Sequence, residues 1–159
     1  MADLLEGVVA AEDPRTEDVR ALLGQHLALM ASLSPPEEVH ALDVAALAGP
    51  SVTFVTYRAG GDLLGVGALK DLGGGHGELK SMHTAAAARG RGVATAVLEH
   101  LVEVARARGL DRLSLETGSP AAFAPARAFY ARHGFVECGP FGEYAESPWS
   151  SFWTREVVA

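Results

Sequence analysis

The sequence predicts a mixed α/β fold. A sheet of about six to seven strands carries helices on both faces, in the order β-α-α-β-β-β-α-β-α-β-β. Two observations carry this expectation. Three β-branched or apolar runs between residues 52 and 84 are joined by glycine turns, which predicts hairpins. Two helical segments then alternate with strands from residue 92 onward, which predicts crossovers and a partly parallel sheet. At 159 residues the chain is expected to form one domain, 1–159, able to bury a sizeable core without a metal or disulfide.

The elements follow in order. Glu6 to Ala11 reads as a short strand, stopped by Asp13-Pro14. Thr16 or Asp18 caps a helix to about Leu29, with Val19, Leu22, Leu23 and His26 at helical spacing. Ser34-Pro35-Pro36 breaks it, and a second helix is expected over Glu37 to Leu47. Val52 to Arg58 and Leu63 to Lys70 form a hairpin around Gly60-Gly61. Gly73-Gly74-Gly75 turns the chain into a third strand, Gly77 to Thr84. From Gly92 to Arg108 the apolar positions Val93, Val97, Leu98, Leu101 and Val104 share one helical face, with Glu99 and Glu103 opposite. Gly109 ends that helix. Asp111 to Thr117 is a strand and Ala121 to His133 a helix ended by Gly134. Phe135 to Cys138 and Ser151 to Val157 complete the sheet.

Composition narrows the functions. Thirteen basic residues against 20 acidic give a net charge of -7, which argues against nucleic acid or an anionic membrane as partner. No apolar stretch approaches the length of a membrane span. Met1 to Ala10 lacks a basic n-region and carries Asp3 and Glu6, unlike a secretory signal. The single cysteine, Cys138, excludes an intrachain disulfide and a Cys-rich zinc site. It reads as a small buried hydrophobe. A reducing, cytoplasmic setting fits.

The informative segment is Ser81-Met82-His83-Thr84-Ala85-Ala86-Ala87-Ala88-Arg89-Gly90-Arg91-Gly92-Val93-Ala94. A strand feeds a glycine-containing loop that opens into a long helix. The first N–H groups of a helix lack internal partners and sit at the positive end of its dipole. Gly90 and Gly92 permit close backbone approach, and Arg89 and Arg91 add charge, so the segment suits a pyrophosphate. A dinucleotide fingerprint with Glu116 as ribose acceptor is a rival, opposed by Thr95 at the third glycine position. A P-loop is excluded because no G-K-S/T follows.

Arg89-Gly90-Arg91-Gly92-Val93-Ala94 resembles the Q/R-x-x-G-x-G/A signature of the GNAT N-acetyltransferase superfamily. Ala126-Arg127-Ala128-Phe129-Tyr130-Ala131-Arg132-His133-Gly134-Phe135 resembles its second hallmark, A-x-x-L/F-Y-x-x-x-G-F. One predicted strand separates the two, as in that superfamily. The resemblance implies a GNAT-like, mostly antiparallel sheet, with acetyl-CoA as co-substrate and direct transfer to an acceptor, usually an amine.

The resemblance also implies roles. A backbone N–H of Met82 or His83 faces the thioester carbonyl, where a tetrahedral intermediate would place an oxyanion. Thr84 bonds the pantetheine arm through its backbone. The N–H groups of Arg89, Gly90, Arg91, Gly92, Val93, Ala94 and Thr95 hold the pyrophosphate. Phe123, standing where an asparagine is frequent, and Arg127 lie beside the cofactor. Tyr130 takes the general-acid position for the departing thiolate. Glu78 is the candidate base, with Glu116 its rival and His40, His76 and His83 weaker candidates. The acceptor lies between the first two helices and the last hairpin, near His26, Met30, Ser34, Pro35, His40 and the stretch Phe141 to Trp153, which includes Tyr144 and Trp149.

The segments Glu137-Cys138-Gly139-Pro140-Phe141-Gly142-Glu143-Tyr144 and Ser34-Pro35-Pro36-Glu37 resemble a small bacterial subgroup, some of whose members are labelled indole-acetic acid acetyltransferases. Three functions are therefore weighed. The first is an acetyl-CoA-dependent N-acetyltransferase for a small-molecule acceptor, for which a homodimer is compatible. The second is a non-catalytic acyl-CoA-binding regulatory domain of the same fold, and the third a dinucleotide oxidoreductase.

Overall fold

The structure is a computed structural model describing residues 7–38 and 43–158. Its strands are β1 (Val8–Ala11), β2 (Val52–Ala59), β3 (Asp62–Gly73), β4 (His76–Thr84), β5 (Arg112–Gly118), β6 (Val136–Cys138) and β7 (Ser150–Glu156). Its helices are α1 (Glu17–Leu33), α2 (Val44–Leu47), α3 (Val93–Ala107) and α4 (Ala124–Arg132). Among the described residues the strands form one sheet in the order β1-β2-β3-β4-β5-β7-β6. Every neighbouring pair is antiparallel except β4 with β5. The mixed sheet expected from the sequence is thus present, with seven strands.

Helices cover both faces. On one, Val19, Leu22 and Leu23 of α1 and Leu47 of α2 pack on Phe54, Val66 and Ala68. On the other, Val97, Leu98 and Leu101 of α3 pack with Leu113, Leu115 and Phe135. The 3.6-residue repeat of α3 meets the two-residue alternation of the strands, and each buries its apolar side.

Two glycines let α3 approach closely. A Cβ on Gly65 would lie 2.5 Å from Val93 Cγ1. One on Gly67 would lie 2.6 Å from Val97 Cγ1, 2.7 Å from Met82 Sδ and 3.2 Å from Leu101 Cδ1. Gly67→Ala therefore overpacks the seam between helix and sheet. We expect a loss of about 1–3 kcal/mol, seen as a Tm lowered by roughly 2–4 °C per kcal/mol. An unchanged Tm would mean α3 moves away at no cost.

Element boundaries differ from expectation for local reasons. α1 runs to Leu33 rather than Leu29, and stops at Ser34, whose position before Pro35 disfavours helix. The second helix does not start at Glu37. Pro36–Glu38 makes a single 3-10 turn, and α2 is only Val44–Leu47, started by the Asp43 side chain accepting from Ala46 N at 2.8 Å. The segment Ala121–Phe123 is likewise a 3-10 turn, and α4 begins after it with Pro125 in its first turn. Cys138 is half-buried rather than fully buried, and burial raises its thiol.

At the sheet's far edge Arg58 binds Glu12 at 2.7 Å and Asp18 at 2.6 Å, joining β2 to the chain that enters α1. Hydrogen bonding to Arg58 is the main cause that holds both carboxyls below their usual range, Asp18 to about 2.

The ends of α3 and α4 share one device. Gly109 and Gly134 are left-handed, at φ 73° and φ 86°. Leu110 N bonds Ala105 O at 3.0 Å, and Phe135 N bonds Tyr130 O at 3.1 Å. These are Schellman closures. The second explains the Y-x-x-x-G-F spacing: the Tyr130 carbonyl holds the turn, Gly134 supplies its handedness, and Phe135 packs against the Tyr130 ring with centroids 5.6 Å apart.

Candidate active site

β4 and β5 pair only from His76↔Arg112 to Glu78↔Ser114. Beyond Glu78 the two strands part, and a cavity of about 750 Å³ lies between them. Leu79 to Thr84 line one arm, and Leu115 to Gly118 the other. The Glu78 and Glu116 side chains stand at these two arms, and both line the cavity.

β4 carries a bulge in the same stretch. Lys80 pairs with Ala68 and His83 with Val66, so Gly67 alone faces Ser81 and Met82. Ser81 sits at φ 55°, the only positive φ of a non-glycine among the described residues. A bulge takes one residue's backbone out of the ladder and re-aims its neighbours. Here it shifts the alternation by one, so Glu78, Lys80 and His83 share the α1 side while Leu79 and Met82 face α3. Ser81 Oγ is buried with no partner among the described residues.

The N-terminus of α3 closes the cavity. Its first intrahelical bond is Ala96 N to Gly92 O, 3.0 Å, so the N–H groups of Val93, Ala94 and Thr95 have no partner within the helix. Gly92 stands at the cap, left-handed at φ 84° and without a side-chain cap. A Cβ at Gly90 or Gly92 would meet nothing within 4 Å. The open space, the free donors, the dipole and Arg89 make a donor set that fits a diphosphate.

Most of the residues expected at the cofactor line this cavity: Met82, His83, Thr84, Arg89, Gly90, Gly92, Val93, Ala94, Thr95 and Phe123. Two do not. Arg91 is exposed outside the lining, and the Arg127 guanidinium donates instead to Gly118 O at 2.7 Å and Pro120 O at 3.2 Å. Arg127 thereby fixes the turn that brings Phe123 against Gly118, where a Cβ would lie 2.2 Å from the ring. Tyr130 lines the cavity too, buried at 7% exposure, and burial raises its hydroxyl far above the ordinary tyrosine value.

On the acceptor side, His26, Ser34 and Tyr144 line the cavity, as does Met30. His40 lies outside the described residues. His76 is held apart by Ser114 Oγ at 2.7 Å. Trp153 does not line the cavity; its indole donates to Ser151 Oγ at 2.7 Å. Trp149 does, with Leu29 and Leu33.

Glu78 is not a solvent-facing strand residue. It is 4% exposed, accepts from Tyr144 OH at 2.5 Å and pairs with Lys80 Nζ at 3.1 Å, both on Oε2. Lys80 also donates to Tyr144 OH at 3.0 Å. Burial, then the Glu78 charge, raises the Tyr144 hydroxyl.

Several contacts were not anticipated from sequence. His133 Nε2 lies 3.3 Å from Thr95 Oγ1 and ties the end of α4 to the start of α3. Glu38 accepts from Ser147 Oγ at 2.8 Å, joining the loop after α1 to the loop before β7 at the cavity wall. His26 Nδ1 lies 3.2 Å from His83 Nδ1. These contacts join residues distant in the chain, so no local pattern signals them.

The mixed sheet, with its parting strands facing an uncapped helix terminus, agrees with the fold that the sequence resemblance implies. The family model for the acetyltransferase (GNAT) family matches residues 22–135, and the chain belongs to that family. It is 46% identical over 149 residues to YsnE, an uncharacterised N-acetyltransferase of Bacillus subtilis strain 168, covering 94% of this chain and 99% of that one. It is 38% identical over 151 residues to a protein named IAA acetyltransferase from Azospirillum brasilense, covering 94% and 97% of the two chains. Among solved structures, a candidate acyl-CoA N-acyltransferase from Klebsiella pneumoniae superposes with a TM-score of 0.80 at 24% identity, over 97% of this chain and 99% of that one. Aminoglycoside 6'-N-acetyltransferase complexed with coenzyme A superposes at 0.70 and 14% identity, over 96% and 98%. The protein is an acyl-CoA-dependent N-acetyltransferase. Among the described residues no helix is long and apolar enough to cross a membrane.

Proposed function

We propose that the protein moves an acetyl group from acetyl-CoA to a small-molecule amine in the cytoplasm. The observation that carries this reading is the uncapped start of α3, facing the gap between β4 and β5. Val93, Ala94 and Thr95 donate to the pyrophosphate, with Arg89 adding charge. Beyond Glu78 the β4 edge no longer pairs with β5, which leaves Thr84 and its neighbours to bond an extended pantetheine arm. Acetyl-CoA supplies an activated acyl carbon. The chain's own groups stabilise charge around it: a bulge N–H at Met82 or His83 meets the carbonyl oxygen, and Tyr130 donates to the departing sulfur.

The raised Tyr130 hydroxyl makes complete proton transfer to a thiolate uphill, so its contribution is a hydrogen bond to the developing charge. Across the cavity, Glu78 Oε2 is taken by Tyr144 and Lys80, leaving Oε1 to meet the acceptor's ammonium. Leu29, Met30, Leu33 and Trp149 add apolar surface to the same cavity, which favours an amine with a hydrophobic body.

The test is thiol release from acetyl-CoA with a panel of primary amines. Glu78→Gln removes the charge that anchors the ammonium and keeps the side chain's shape. The expected result is a KM for the amine raised by roughly 10-fold or more, as for loss of a charged hydrogen bond of about 1.5–3 kcal/mol. The KM for acetyl-CoA should stay where it was. An unaltered amine KM would remove Glu78 from the acceptor site.

A further inference from the structure

His26 on α1 and His83 on β4 both line the cavity, with Nδ1 atoms 3.2 Å apart and ring centroids 4.9 Å apart at 62°. A hydrogen bond between two ring nitrogens needs one to carry a proton and the other to be bare. In a neutral pair the tautomers are therefore complementary. The ring that donates from Nδ1 has a bare Nε2, and the ring that accepts at Nδ1 carries its proton on Nε2. Neither Nε2 has another hydrogen-bond partner among the described residues.

We propose that His26 and His83 act as one unit that takes the proton released by the acceptor amine, receiving it on the bare Nε2 of whichever ring donates from Nδ1. The proposal rests on the acetyl-transfer reading of this cavity and adds the destination of the proton. The ammonium N–H bond breaks and its electron pair stays on nitrogen, which then attacks the acyl carbon. The C–S bond breaks, coenzyme A leaves as the thiolate against the Tyr130 hydroxyl, and the second proton shed by the new amide nitrogen passes to that thiolate. The first proton forms an N–H bond at Nε2. The pair becomes a monocation that keeps its Nδ1–H···Nδ1 bond, and it returns to neutral by releasing one proton to water after turnover.

Burial keeps the pair neutral at neutral pH, so the protonated pair is a short-lived state formed only as the amine nitrogen attacks and its positive charge is lost. Burial, and then the neighbouring His83, hold His26 at about 4, and burial, and then Arg89, lower His83. The other charged groups of the cavity wall are Glu38, Glu78, Lys80, Glu116 and Arg132. Glu78 is engaged by Lys80 and Tyr144. The shift in the bulge puts His83 on the α1 side of β4, opposite His26, which gives the bulge a consequence for the acceptor as well as the donor.

The experiment uses the full chain with His26→Gln, His83→Gln and the double variant. In long-range 1H–15N spectra of histidine-labelled protein, the His26 and His83 rings, assigned by their loss in the two single variants, should be one protonated at Nδ1 and one at Nε2. Two rings both protonated at Nε2 would overturn the pairing. With the best amine of the panel, kcat/KM at pH 7 should fall roughly 10²-fold in each single variant, the lower end for lost acid–base catalysis. The double variant should be no slower than either single, because the residues act as a unit. The acid limb of the kcat/KM profile, where protonation of the pair removes the base, should vanish in both single variants and persist in Glu78→Gln. Additive losses, or a limb unmoved in both variants, would overturn the proposal. Coenzyme A binding, followed by calorimetry, separates the two readings. If wild type fails to bind it, the acetyl-transfer reading falls; if it binds and the limb is unmoved, only the histidine pair falls.

Discussion

Gly92→Val should abolish acetyl-CoA binding and leave a folded protein. Gly92 caps α3 at φ 84°, a region that costs an L-residue about 1–2 kcal/mol. That cost is tolerable for a domain stable by about 5–15 kcal/mol. It is not tolerable for the ligand. The space where the new side chain would stand is open now, with nothing within 4 Å of the Cβ position. Two valine methyls there would push the phosphates off the Val93 and Ala94 donors. Losing two charge-assisted hydrogen bonds of about 1.5–3 kcal/mol each weakens binding by roughly 10²–10⁴-fold. Calorimetry with acetyl-CoA reads the loss, and circular dichroism checks the fold. Gly92→Ala, with one methyl, should fall between. Retained affinity in the valine variant would move the diphosphate elsewhere.

Tyr130→Phe should lower kcat by about 10²-fold, toward the low end of general-acid effects. Burial raises this hydroxyl, so it donates a hydrogen bond well and gives up its proton poorly. The phenyl ring keeps its packing on Phe129 and Phe135, and the Tyr130 carbonyl still closes the Gly134-Phe135 turn. Stability and acetyl-CoA affinity should therefore hold while turnover drops. Equal kcat in the two proteins would make Tyr130 a core residue that happens to border the cavity.

The donor half of the site was legible in the sequence because it is local. Gly90, Gly92 and the first turn of α3 are contiguous, and their physics, a strand opening through left-handed glycines into a helix start, is written in one stretch. Tyr130, Gly134 and Phe135 were legible for the same reason, since a Schellman closure spans six residues. Arg127 was legible as a hallmark position, but not the two carbonyls, of Gly118 and Pro120, to which its Nη1 donates.

The acceptor half was only partly legible. His26 with His83, and Glu78 with Tyr144, meet across 57 and 66 residues. Their pairing depends on where α1 and the loop before β7 settle on the sheet. The one-residue shift at Ser81-Met82 also inverts the alternation that would otherwise place His83 on the α3 side. The second helix, expected from Pro36 over Glu37 to Leu47, is shorter because Pro36–Glu38 makes only a 3-10 turn and the Asp43 side chain caps a new start at Val44.

The uncapped start of α3, between the parting strands, is the proposed seat of acetyl-CoA. Backbone amide spectra of labelled protein, recorded through a titration with acetyl-CoA, test it most directly. Saturating one-to-one binding should shift the amides of Gly90, Gly92, Val93, Ala94 and Thr95, with those of His83 and Thr84 on β4. The amides of β1, Val8–Ala11, at the sheet's far edge should stay in place. Shifts gathered instead around the hollow of Glu137, Pro140 and Ser147, or no shifts at saturating acetyl-CoA, would contradict the account.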